Sequence, residues 1–123
     1  MDALFIDPTQ DTPLVILNKD TNTFIISHRS YPEDAFDFYK PVIEWCREYI
    51  KDANDNTIFD FKFDYFNTTS GKQIFKIMLI LEKLSKEKSV IIRWHYRKTD
   101  KEIANHGEIF SKIINTKFEM IDF

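Results

Sequence analysis

Three hydroxyl residues in succession, Thr68-Thr69-Ser70, stand between Asn67 and Gly71-Lys72, where an alternating apolar segment passes into a helical one. The backbone N–H groups at a helix start lack partners and carry partial positive charge, so a phosphate on one of these hydroxyls would sit in a favourable field. Lys72, one turn beyond Thr68, adds a cation within reach of such a phosphate. Ser and Thr are also chosen at helix starts for their capping oxygens alone, and on residue chemistry by itself that reading of Thr68 competes with the phosphate reading. Lys72 has a similarly plain alternative as a solvated side chain beside Lys76. A second group, Asp60, Asp64, Arg93 and His95, falls on the polar faces of two predicted strands. Brought together, these residues offer acid–base or metal chemistry, or else cross-strand ion pairing, which is the simpler expectation.

Other catalytic signatures are missing from the 123 residues. His28, His95 and His106 show no metal-ligand spacing, and Gly71 and Gly107 cannot build a Walker-type loop or a dinucleotide turn. Cys46 falls in an apolar helical stripe and reads as core; alone it forms neither an intramolecular disulfide nor a thiolate cluster. No intrinsic enzymatic activity, metal or cofactor is expected. The competing class is a small enzyme or ligand-binding domain that uses an open sheet face around Asp64 and His95.

The elements that must position these residues are legible as periodicity. Leu14 to Leu17 and Phe24 to Ser27 flank a turn-forming cluster and predict a hairpin, preceded by an irregular arm before Pro13. Ser30-Tyr31-Pro32-Glu33 has the form of a capping box and predicts a helix with the stripe Tyr39, Val42, Ile43, Cys46, Tyr49 and Ile50. Pro41 should kink or split that helix near Asp37 to Pro41. Phe59, Phe61, Phe63 and Tyr65 alternate with Asp60, Lys62 and Asp64 as a half-buried strand requires. The second helix carries Ile74, Phe75, Ile77, Met78, Leu81 and Leu84. Val90 to Tyr96 predicts a strand, Thr99-Asp100-Lys101-Glu102 a second capping box, and the third helix should bury Ile103, Phe110, Ile113 and Ile114. Phe118 to Phe123 closes the chain as a strand.

Alternation of strand and helix implies crossovers and a largely parallel sheet after the hairpin. Asp60, Lys62, Asp64, Arg93 and His95 forbid helices on both faces, so one sheet face must be wet. Right-handed crossovers keep helices on a single face only when each strand is added on the same side as the last. The expectation is a two-layer α/β fold: a one-directional βα superhelix with a mixed, mostly parallel sheet and three main helices on one face, in one domain over residues 1–123. The wet face leaves room for a homodimer.

Composition narrows the function classes. The net charge of −3 divides into −7 over residues 1–61 and +4 over residues 62–123. The basic, aromatic run Arg93 to Lys98 alternates as a strand does, and with the acidic overall balance it gives no reason to expect nucleic acid. The longest apolar stretches fall well short of the roughly 18 residues of a spanning segment, and no leader pattern is seen, so membrane insertion is not expected and the cytoplasm is the expected location.

Three stretches together, Ser30-Tyr31-Pro32-Glu33 with Tyr39-Lys40-Pro41, Tyr65-Phe66-Asn67-Thr68-Thr69-Ser70, and Arg93-Trp94-His95-Tyr96, resemble the SiaC family of bacterial regulatory phosphoproteins over nearly the whole chain. The family is similar to the STAS domains of anti-sigma-factor antagonists. The resemblance implies a non-enzymatic partner-switching module, phosphorylated by a Ser/Thr protein kinase and dephosphorylated by a PP2C-type phosphatase. It further implies that the unphosphorylated form binds and activates a diguanylate cyclase, in cyclic di-GMP signalling. The implied phosphoacceptor is the Thr directly after Asn at the start of the second helix, here Thr68, with Thr69 and Ser70 as secondary candidates. The partner surface would then include Asn67, Thr69, Ser70, Gly71 and Lys72. Gly71 departs from the family pattern, which places a larger residue there.

Overall fold

Alternation of buried and exposed side chains drives the central strand: Thr57, Phe59, Phe61 and Phe63 are buried while Lys62 and Asp64 face solvent. In a computed structural model that describes residues 1–123, this strand, β4 (Asn56–Phe66), lies in a six-stranded sheet with β1 (Leu4–Ile6), β2 (Leu14–Asn18), β3 (Thr23–Ser30), β5 (Ser89–Tyr96) and β6 (Lys117–Asp122). The spatial order is β1-β2-β3-β4-β5-β6, antiparallel as far as β3 and parallel from β3 to β6. Helices α1 (Ala35–Tyr49), α2 (Thr68–Leu84) and α3 (Lys101–Ile113) form the three successive crossovers. Strands are thus added in one direction, which keeps the helices in one layer as the alternation predicts.

The core lies between that layer and the sheet. Trp94, Phe59, Phe61, Phe24 and Ile26 from the sheet meet Tyr39, Tyr49, Ile74, Ile77, Met78 and Leu81 from α1 and α2, all essentially inaccessible. Aromatic rings run through it, with Phe59–Phe61 centroids 4.8 Å apart and Phe66 edge-on to Trp94 at 5.8 Å. Tyr49 and Thr57 share a buried hydrogen bond of 2.7 Å. Burial pushes the Cys46 thiol up to about 12 and raises the Tyr39 hydroxyl as well, so both stay neutral in the fold.

Several local expectations are corrected. The segment before Pro13 contains β1, which pairs antiparallel with β2. Ser30 does not cap α1. It ends β3 fully buried, and Asp34 is the cap, accepting from Asp37 N–H at 3.0 Å. The Ser-x-x-Glu pattern misled because Ser30 has a nearer use for its hydroxyl inside the core. Pro41 does not split the helix, which runs unbroken from Ala35 to Tyr49 with Pro41 on its exposed side. There the freed carbonyl of the preceding turn can be solvated. At α3 the cap is Asp100, accepting from Ile103 N–H at 3.0 Å, one residue beyond Thr99.

Two corrections bear on the site. Between the pairs His28/Phe63 and Arg29/Tyr65 the register advances two residues on β4 for one on β3, making Asp64 the extra residue of a bulge. Tyr65 is therefore turned out to solvent under the guanidinium of Arg29, 5.7 Å from its ring, and Phe66 takes the inward position. His28, opposite the irregularity, has φ 79°. Ile113, expected in the core, is exposed instead, because α3 approaches the sheet through Ile103 and Gly107. A Cβ at Gly107 would lie 2.2 Å from Trp94 Cδ1, and Trp94 Nε1–H donates to the Ile103 carbonyl at 2.9 Å.

Candidate functional site

Asn67 turns the chain from β4 into α2. Its extended backbone (φ −90°, ψ 174°) and its Oδ1, accepting from Ser70 N–H at 2.9 Å and Thr69 Oγ1–H at 3.1 Å, make it the N-cap. The capping task is thus taken by Asn67, and Thr68 is the first helical residue. The Asn67 N–H donates to the Ser30 carbonyl at 3.1 Å, which fastens the cap to the end of β3.

The three hydroxyls have different fates. Thr68 and Thr69 are exposed, whereas Ser70 is completely buried, its Oγ accepting from Ser30 Oγ–H at 2.9 Å. Ser30 Oγ also shares a 2.7 Å hydrogen bond with Tyr39 Oη, so β3, α1 and the start of α2 are held by one chain of hydroxyls. Lys72 is exposed one turn after Thr68, and Gly71 between them is half-buried. A Cβ on Gly71 would approach Phe66 Cε2 to 3.2 Å, so the small residue lets the Phe66 ring lie against the first turn of α2.

Beside this turn a groove of about 530 Å³ opens between α2 and α3. Asn67, Thr68, Gly71 and Lys72 form one wall with Phe75, and Glu102, His106, Phe110 and Ile113 form the other. Phe66 lies beneath His106 with ring centroids 4.8 Å apart, and Phe75 stacks on Phe110 at 6.1 Å. The groove thus joins an apolar floor to a rim carrying the exposed hydroxyl of Thr68, one cation and one carboxylate. The α3 wall was missed from sequence, although Glu102, His106, Phe110 and Ile113 recur at intervals of three and four, a helical stripe that could have been found.

The sheet-face group does not join this site. His95 Nε2 is 2.7 Å from Asp60 Oδ1, Arg93 Nε–H donates to Glu119 at 3.1 Å, and Arg97 pairs with Asp64. The last two are ion pairs and the first a short polar contact; they tie β5 and the residue after it to β4, and β5 to β6, on the layer's open side. No three His, Cys, Asp or Glu side chains converge as a metal site. No helix is long and apolar enough to cross a membrane.

The model of the SiaC family regulatory phosphoproteins matches residues 6–123. The chain belongs to this family. The solved structure of SiaC of Pseudomonas aeruginosa is 27% identical with a TM-score of 0.90, covering 100% of both chains. A crystal structure of the diguanylate cyclase SiaD in complex with its activator SiaC, from the same organism, contains a chain 26% identical with a TM-score of 0.91, covering 98% of this chain and 99% of that one. An uncharacterized protein of P. aeruginosa strain UCBPP-PA14 is 29% identical over 111 residues, 89% of this chain and 88% of the relative. The six-stranded, mostly parallel sheet with three helices is the SiaC fold.

Proposed function

We propose that this SiaC-family protein is a non-enzymatic switch whose unphosphorylated form binds and activates a diguanylate cyclase, and which a Ser/Thr protein kinase turns off by phosphorylating Thr68. A PP2C-type phosphatase restores the binding form. The observation that carries this reading is the contrast at the start of α2: Thr68 is exposed on the rim of the α2–α3 groove, relieved of capping by Asn67. The complex of SiaD with its activator SiaC supports the choice of output partner.

The chemistry of the switch follows from the groove. A phosphothreonine brings −1.5 to −2 charges and three acceptor oxygens, which the unpaired N–H groups of the first turn and Lys72 can stabilise without disturbing the fold. A partner packed over Asn67 to Lys72, with side chains in the apolar groove, would have to desolvate that charge. A penalty of only ~3 kcal/mol weakens binding more than a hundredfold.

Titration of the cognate cyclase with unmodified, Thr68-phosphorylated and Thr68→Ala protein tests the proposal. Unmodified and Thr68→Ala protein should bind and activate alike, and the phosphorylated form should bind at least about a hundredfold more weakly. Equal affinities of all three, with phosphate mapping only to Thr69, would remove Thr68 from the mechanism.

A further inference from the structure

A second concave surface lies on the other side of α2. Three hollows run along the seam between α1 and α2: one at the helix starts, one in the middle of about 140 Å³, and one towards the helix ends. They are continuous, the first two sharing Phe36 and Gln73 and the last two sharing Arg47 and Lys76. Cations border this trough on both helices, Lys40 and Arg47 from α1 and Lys72, Lys76 and Lys83 from α2. None of the five has an acidic partner within 4.0 Å, whereas Arg93 and Arg97 on the sheet side are paired with Glu119 and Asp64. Glu44 alone interrupts the middle, and Glu33 and Asp34 stand at the start. Phe36 and Leu79 are left 62% and 42% exposed, and the Lys76 ammonium sits over the Phe36 ring at 5.4 Å.

One buried polar side chain lies under this surface. Gln73 is 93% buried by its 7% exposure, lines the first two hollows, and its Oε1 has no hydrogen-bond partner. Such a group costs free energy unless something satisfies it, and it lies in the packing beneath the trough, where its side chain would register an occupant.

We propose that the α1–α2 trough is a docking site for an acidic amphipathic helix of a protein partner, which would lie along α2 as an added member of the helix layer. Lys72 to Lys83 spans about 16 Å, three turns of helix. The exposed Phe36 and Leu79 would receive an apolar stripe, and carboxylates flanking that stripe would meet the free cations. The exposed Phe36 and Leu79 call for an apolar stripe that a DNA backbone does not offer, and an amphipathic helix presents such a stripe and carboxylates together. The net charge of −3 also opposes a polyanion. The proposal does not rest on phosphorylation of Thr68.

The test uses isotope-labelled full-length protein and a stapled helix of about fourteen residues, near the length at which an isolated helix is stable, with a Leu stripe flanked by Glu. A second peptide carries Lys in place of Glu, and phosphatidylglycerol vesicles and a DNA duplex are titrated in parallel. Saturable chemical-shift changes confined to α1 and α2, with the Gln73 side-chain amide among the largest, are expected for the acidic peptide. Arg47→Glu combined with Lys76→Glu should weaken that binding at least about tenfold with the spectrum of the free protein otherwise unchanged. Equal binding of the Lys peptide, shifts centred on the α2–α3 groove, no saturable binding, or tighter binding of vesicles or duplex would each overturn the proposal.

Discussion

Ser70 and Ser30, forty positions apart, are joined by a 2.9 Å hydrogen bond in the core, with Tyr39 Oη 2.7 Å from Ser30 on the other side. Ser30 is the middle member, so removing its hydroxyl leaves two buried oxygens without their partner. Ser30→Ala should cost about 1–3 kcal/mol in urea unfolding, more than Ser70→Ala, which shortens the chain at its end. Equal costs would mean that the network is satisfied in another way.

The same burial bears on the proposed phosphorylation. In a chain carrying Thr68→Ala and Thr69→Ala together, the kinase should place no phosphate on Ser70, because that hydroxyl has no accessible surface and opening the start of α2 would break the Asn67 cap. Mass spectrometry of the treated protein checks this. Phosphate on Ser70 would show that the first turn opens readily.

The two glycines should respond differently to Ala. At Gly107 the new methyl would lie 2.2–2.7 Å from three atoms of the Trp94 ring system, so α3 must move off the sheet. A loss of about 1–3 kcal/mol is expected, with red-shifted Trp94 emission in a Trp45→Phe background. At Gly71 the nearest atom is the Phe66 ring edge at 3.2 Å, a contact that a few tenths of an ångström relieve. Helix propensity gains roughly 1 kcal/mol there, so Gly71→Ala should leave thermal stability nearly unchanged.

Cys46 gives a pH signature. Its thiol ionises near 9 when free in the unfolded chain and is pushed up to about 12 by burial, so as pH rises the unfolded state loses its proton first. The stability contribution is complete below pH 9 and is lost progressively between 9 and 12. The urea midpoint should therefore hold level to about pH 9 and then fall, and Cys46→Val should flatten part of that fall. The native thiol should also resist thiol-exchange reagents until denaturant is added. An identical alkaline profile for both proteins would contradict the burial argument.

What the sequence by itself determined is whatever depends on neighbours along the chain. Period-two alternation in β4 and β5 and period-3.6 stripes in α1 and α2 gave the element order, and the polar strand faces required one wet side and hence a one-directional superhelix. The Asn67–Lys72 segment was visible as a strand running into a helix with hydroxyls at the junction. Tertiary structure decided what depends on the element standing opposite. The bulge at Asp64 reverses the alternation, turning Tyr65 out and Phe66 in, because β4 must keep pairing with β3 past His28. Ser30 abandons the capping role that its local pattern suggests because Tyr39 and Ser70 arrive beside it in space. Ile113 stays exposed because Gly107 is the point where α3 meets Trp94. Local periodicity records which side chains share a face, but which hydroxyl is buried and which helix pair leaves a groove depend on contacts between residues far apart in the chain, and only the folded arrangement contains those.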